Sequence, residues 1–381
     1  MSGAGVNVDG VTGLADILHR RIAQTGPLTL AEYMAEALMH PVHGYYVARN
    51  PFGAAGDFIT APDISQMFGE LIGAWLAHAW LAAGSPSPFA LVELGPGRGA
   101  LMADLLRATR GVPGFHEAAR LHLVEASASL RAVQQERLAG HGLTGQGPEG
   151  HGPVWLDRVA DLPDLPLFII GNEFLDALPV RQFVRQAGGQ SAGWAEVCVG
   201  SDGERFHYAR KSAPDATLLI DPVLIDAPAG TVVEICPAAR SVARDLATGL
   251  RDHGGAALLI DYGYVGPLPG DSFQAMAGHG FVDPLATPGR ADLTAHVDFG
   301  AIRTVFADSG VRNTAIATQG DWLRALGIES RLAVLAEKAG PEQGVALKSG
   351  CDRLIGEKGM GTLFKVFGAA SDRISTLPGF G

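Results

Sequence analysis

Glu93-Leu94-Gly95-Pro96-Gly97-Arg98-Gly99 joins the apolar run Ala90 to Leu94 to a stretch with helical spacing, Leu101 to Thr109. Glycines set directly after a strand and before a helix let the chain turn sharply and aim the free N–H groups of the helix start at a ligand. The same rhythm continues outward. Short apolar runs at Leu121 to Glu125, Val154 to Leu156, Leu167 to Gly171, Ala256 to Asp261, Thr314 to Thr318 and Thr362 to Phe367 alternate with helical patterns. Such alternation predicts βαβ units, and hence a doubly wound, Rossmann-like α/β fold with a mostly parallel sheet of six or seven strands.

Gly95-x-Gly97-x-x-Ala100 also satisfies the dinucleotide fingerprint, so NAD or FAD competes for the glycine loop. Glu93, two residues before the first glycine, tips the balance. A carboxylate at the carboxyl end of the strand repels pyrophosphate and receives an ammonium group. S-adenosyl-L-methionine offers an α-ammonium, a sulfonium and no phosphate. Glu125 ends the next strand 32 residues later, where a carboxylate takes both ribose hydroxyls, a feature shared with NAD sites. Asp157 follows the third strand and is the candidate for the adenine edge, with Trp155 beside it read as core. The residue-derived cofactor set is therefore Glu93, Gly95, Gly97, Gly99, Glu125 and Asp157.

The fourth strand runs into Asn172-Glu173-Phe174-Leu175-Asp176-Ala177-Leu178-Pro179. In a doubly wound sheet ligands bind beyond the carboxyl ends of the strands where the strand order reverses, and strand four neighbours strand one across that point. Asn172, Glu173 and Asp176 are accordingly the candidate catalytic residues, with helix capping by Asn172 or Asp176 as the competing reading. Methyl transfer needs an aligned nucleophile and a carboxylate that holds or deprotonates it. Glu173 could supply the planar partner an arginine guanidinium wants.

Composition narrows the field. The chain has 381 residues, 29 basic against 40 acidic side chains and a net charge of −11, which disfavours uniform wrapping of nucleic acid. Cys198, Cys236 and Cys351 stand far apart with no zinc or disulfide spacing, twelve histidines lack any HExxH arrangement, and GxSxG is absent. No metal is expected. Apolar stretches such as Leu71 to Ala83 stop short of the roughly 20 residues of a membrane span. Met1 to Gly10 has no basic n-region, so a cytoplasmic protein is expected.

Residues 1–85 are expected to form a helical cap. Its loop, His40 to Asp63, holds Tyr45, Tyr46, Phe52 and Phe58, a density of aromatics that suits either a loop packed by its own side chains or a lid over a bound ligand. Residues 86–381 are expected to form the core, interrupted by antiparallel hairpins at 181–221 and by a partly helical substrate region at 267–350.

The run Gly56-Asp57-Phe58-Ile59-Thr60-Ala61-Pro62-Asp63-Ile64-Ser65, with Phe68-Gly69-Glu70, resembles the N-terminal signature of the MidA family, which includes the mitochondrial complex I assembly methyltransferases. The likeness continues through Glu93 to Gly99, Asn172 to Pro179, Asp261-Tyr262-Gly263 and Ala291 to Phe299, nearly the whole chain. It implies a class I methyltransferase dependent on S-adenosyl-L-methionine, with Gly56, Asp57, Phe58 and Thr60 joining the cofactor set, and the lack of a transit peptide suits a bacterial-type member. It further implies a protein partner, an NADH dehydrogenase subunit methylated on arginine. A non-catalytic assembly chaperone is the alternative, and a homodimer through the N-terminal helices is allowed. The chain departs from the family at Gln274-Ala275-Met276-Ala277-Gly278-His279, where an aromatic and basic run is usual. That departure puts the substrate contact there in question.

Overall fold

The computed structural model describes residues 13–48, 60–141, 153–188 and 193–380. They cluster in two compact units, a smaller one drawn from 1–49, 179–237 and 269–295 and a larger one from 50–178, 238–268 and 296–381.

The larger unit carries the predicted sheet. Its strands are β1 (Phe89–Leu94), β2 (Ala119–Val124), β3 (Val154–Leu156), β4 (Leu167–Asn172), β5 (Gly255–Tyr264), β6 (Asn313–Thr318) and β7 (Phe364–Ala370). They lie in the order 3-2-1-4-5-7-6. The first five strands are parallel, whereas β7 runs antiparallel to both β5 and β6. A two-residue strand, Val297–Asp298, also pairs with the end of β5. β1 is buried along its whole length, as its continuous apolar run requires of a central parallel strand. The order reverses between β1 and β4, and the carboxyl edge at such a reversal is where ligands bind in a doubly wound sheet.

Helix α1 (Gln66–Ala82) packs against α2 (Ala100–Thr109) at close range. A Cβ at Gly69 of α1 would lie 2.7 Å from Asp104 Cβ, so the crossing needs glycine there. Beside it Glu70, 6% exposed, accepts hydrogen bonds from Arg107 Nη1 at 2.7 Å and from Arg331 Nε at 2.7 Å, the latter on the helix Ile328–Ala336. Burial pushes the Glu70 carboxyl up, but its hydrogen bonds to Arg331 and Arg107 outweigh that and hold it below 4.5. Its contribution to stability is therefore present above pH 4.5 and lost as pH falls through the lowered value. Both arginines reach water, so Glu70→Ala is expected to cost about 2 kcal/mol at neutral pH. Urea denaturation should show the difference from wild type shrinking in acid, and an equal loss at every pH would mean that packing alone is affected.

In the smaller unit, Trp194–Ser201 pairs antiparallel with Arg181–Arg185, Phe206–Ser212 and Leu28–Thr29, and Val232–Ile235 completes the sheet. A second sheet joins Gln274–Ala277, Gly280–Val282 and Asp292–Thr294. Phe183, Trp194, Ile220 and Val233 form a hydrophobic core of the smaller unit. Two expectations about organisation change. The N-terminal cap divides, because Leu28 and Thr29 pair with Val199 and Cys198, while α1 buries Phe68, Ile72 and Trp75 in the larger unit's core. The stretch 267–350 is not one insertion, because Asn313–Thr318 pairs with β7 as a strand of the main sheet.

Candidate active site

The glycine loop follows β1 in the larger unit. Gly95, Gly97 and Gly99 have φ of +61°, +51° and +74°, the left-handed region that a side chain disfavours. At Gly95 a Cβ would also meet Phe174 Cδ2 at 2.9 Å. The Gly95 N–H donates to the Val124 carbonyl at 3.0 Å, which ties the loop to β2. Just before it, Glu93 is 4% exposed and its Oε2 has no partner among the described residues. Burial, then repulsion from Glu125, raises its carboxyl to about 8, against a hydrogen bond from the Met102 backbone. A buried, unmet carboxylate oxygen is costly until a donor reaches it. The ammonium group of S-adenosyl-L-methionine is such a donor, and the glycine cradle leaves room for its backbone, so the residues present fit this cofactor.

Glu125 follows β2. Its Oε1 accepts from the Ser127 N–H at 2.8 Å and its Oε2 from Gln134 Nε2 at 3.1 Å. Burial raises its carboxyl, and these hydrogen bonds from Ser127 and Gln134 hold the shift back. Gln134, on α3 (Ala128–Leu138), also donates to the Gly97 carbonyl at 2.8 Å and accepts from the Trp155 indole at 2.7 Å. Trp155 packs against the core, as read from the sequence. Asp157, the candidate for the adenine edge, has a side chain that is 77% exposed and pairs with Arg131 at 2.5 Å.

The second group gathers at the ends of β4 and β5. Asn172 Nδ2 donates to Glu173 Oε1 at 3.0 Å, and the Ala61 N–H reaches the same oxygen at 3.3 Å. Asn172 Oδ1 is buried with no partner among the described residues. Glu173 has φ of +52°, a conformation that costs a non-glycine residue about 1 kcal/mol or more and that persists only where the surroundings enforce it. The enforcing group is Asp261, 1% exposed, whose Oδ2 accepts the Leu175 and Asp176 N–H groups at 2.9 and 3.2 Å. No helix follows Asn172 or Asp176, so neither is a cap.

Burial, then repulsion from Asp176, raises Glu173 to about 7, while Asn172 and the Ala61 N–H oppose the rise. Burial raises Asp176 to about 6 against a hydrogen bond from Tyr262, and burial followed by repulsion from Asp176 and Glu173 keeps Asp261 well above the usual carboxylate range. The result is a well of negative potential that favours a cationic group. Thr60 stands near it through Asp63, whose Oδ2 accepts the Thr60 hydroxyl at 3.1 Å. Gly56, Asp57 and Phe58 lie outside the described residues. Of the expected lid tyrosines, Tyr45 is fully buried in the smaller unit and Tyr46 donates to Asp292 Oδ1 at 2.7 Å.

Sequence reading missed Gln134, Asp261 and Tyr262 as site residues. Asp261 had the same signal as Glu93 and Glu125, a carboxylate at the carboxyl end of a predicted strand.

Comparison with known proteins agrees with this geometry. Residues 71–317 match the model of a family described as S-adenosyl-L-methionine-dependent methyltransferase. "Protein arginine methyltransferase NDUFAF7, mitochondrial" is 40% identical in Danio rerio, covering 92% of this chain and 85% of that protein, and 38% identical in Homo sapiens, covering 94% and 83%. A solved superfamily member from Burkholderia thailandensis, bound to S-adenosyl-homocysteine, is 30% identical with a TM-score of 0.79 over 96% of this chain and 93% of its own. These relatives correct one expectation. A cytoplasmic, bacterial-type protein was expected, whereas the NDUFAF7 relatives are mitochondrial proteins. With a sheet order, a glycine cradle and an unmet buried carboxylate that all suit one cofactor, the chain belongs to the family of S-adenosyl-L-methionine-dependent methyltransferases.

Proposed function

We propose that this enzyme methylates an arginine side chain of a protein, a subunit of respiratory NADH dehydrogenase. The observation that carries the reading is the hydrogen bond from Asn172 Nδ2 to Glu173 Oε1, which leaves Asn172 Oδ1 unmet beside the buried Asp176 and Asp261. Their oxygens suit a planar cation that carries several N–H donors, which is what a guanidinium presents. S-adenosyl-L-methionine supplies an activated methyl group on a sulfonium. Glu93 takes its ammonium, Glu125 its ribose hydroxyls, and the Gly95, Gly97 and Gly99 turn its flank. Glu173 orients the guanidinium, and a carboxyl near neutrality takes up the proton that the alkylated nitrogen releases. The NDUFAF7 names support the choice of arginine, and the MidA resemblance supports the choice of partner.

Calorimetric titration with S-adenosyl-homocysteine tests the cofactor half, with Gly97→Val as control. A Cβ-branched side chain at a φ of +51° should strain the loop and weaken binding by about 100-fold, from a micromolar starting point. Mass spectrometry of a co-expressed NADH dehydrogenase subunit tests the acceptor half. Methylarginine dependent on intact Glu173 is expected, and methylation confined to lysine or to chain termini would overturn the reading.

A further inference from the structure

Gln134 is fully buried in the middle of α3, where a helix of a doubly wound fold normally turns an apolar side chain to the sheet. A buried amide is tolerated when its donors and acceptor are satisfied. Here the hydrogen bonds fix its orientation. The Trp155 indole N–H is a donor only, so the atom facing it at 2.7 Å must be the amide oxygen. Nε2 then points its two hydrogens at the Gly97 carbonyl, 2.8 Å away, and at Glu125 Oε2, 3.1 Å away. One side chain thus links the loops after β1 and β2 to strand β3. The other Glu125 oxygen is held by the Ser127 N–H, so Gln134 and Ser127 together set the plane of that carboxylate.

We infer that Gln134 is a positioning residue that sets the ribose selectivity of the cofactor site by holding the Glu125 carboxylate and the Gly97 turn in one register. Trp155 acts behind it by fixing which end of the amide faces the cofactor loops. This inference rests on the reading of Glu125 as the ribose ligand.

The test uses the full chain and two probes, S-adenosyl-homocysteine and its 2′,3′-dideoxy analogue, titrated calorimetrically. The readout is the ratio of the two dissociation constants, because a merely structural defect weakens both ligands alike. Wild type should prefer the natural ribose by about 100-fold, as hydrogen bonds to a charged partner predict. Gln134→Leu should reduce that ratio by about tenfold, and Trp155→Phe, a milder change that keeps the core filled, by about threefold. Neither change should act further in a Glu125→Gln background, since both work through that carboxylate. An unchanged ratio in a folded Gln134→Leu or Trp155→Phe protein overturns the positioning role. If Glu125→Gln itself leaves the ratio intact, the ribose reading of Glu125 fails instead, and the inference falls with it.

Discussion

Glu93→Gln should produce a protein that is more stable without cofactor at neutral pH and that binds S-adenosyl-homocysteine about 100-fold more weakly. Both effects come from one oxygen. Glu93 lies inside the sheet with Oε2 unmet, and its carboxyl rises from 4.5 to about 8 because burial and Glu125 disfavour the charge. A carboxyl raised in the folded state contributes fully below pH 4.5, and that contribution is lost as pH climbs towards 8. At pH 7 the difference amounts to about 3 kcal/mol, at 1.36 kcal/mol for each unit between the two states. The amide does not titrate, so thermal melts of the variant should lack most of the decline that wild type shows between about pH 5 and 8. The same oxygen is a loss for binding once removed, since taking away one partner of a buried charge pair costs about 2 to 5 kcal/mol. Binding of an ammonium group at neutral pH should also expel the Glu93 proton, giving wild type a buffer-dependent binding enthalpy that the variant lacks. Unchanged affinity in Glu93→Gln would remove Glu93 from the cofactor set.

How legible the molecule was depends on how local each signal is. β1 and β4 were readable because a central parallel strand is an unbroken apolar run with a polar residue where it meets the crevice, Glu93 in one and Asn172 in the other. Their ends were less so. The run Thr362 to Phe367 reads as a strand, yet Met360–Leu363 closes a helical turn and the strand is Phe364–Ala370, because its register is set by β5 and β6. The insertion of β7 between β5 and β6 leaves no trace in either segment, since it is a pairing between residues about fifty apart or more. Leu28–Thr29 joins the smaller unit through two residue pairs, too few to show a period of two. The site follows the same rule. Carboxylates at strand ends are visible as such in the sequence, whereas the pairing of Asp157 with Arg131, 26 residues away, is not. Gln134 was passed over because a glutamine within a helix usually faces water, and only the fold shows that this one does not.

For the acceptor side, Glu173→Gln should keep S-adenosyl-homocysteine affinity within about twofold of wild type while lowering methyl transfer by about 100- to 10,000-fold, the range that proton transfer by a positioned group supplies. The substitution is nearly isosteric. Its amide oxygen can still accept from Asn172 Nδ2 and the Ala61 N–H, and Asp261 still clamps the turn through the Leu175 and Asp176 N–H groups. What disappears is the charge that holds a guanidinium and the oxygen that takes its proton. The pH dependence carries the sharper test. With Glu173 near 7, the working, ionised form is depleted in acid, so wild-type activity should fall about tenfold for each unit below that value. Asp176, near 6, and Asp261, also raised by burial, repel the same charge, so the three titrate as a set and the fall belongs to the cluster. Glu173→Gln should therefore flatten the acidic limb as well as lower the rate, because the remaining carboxylates no longer share a proton with the acceptor ligand. A variant whose rate drops while the limb keeps its shape would assign Glu173 to orientation alone and move the proton to Asp176. An equal fall in cofactor affinity would instead place Glu173 on the cofactor side of the crevice.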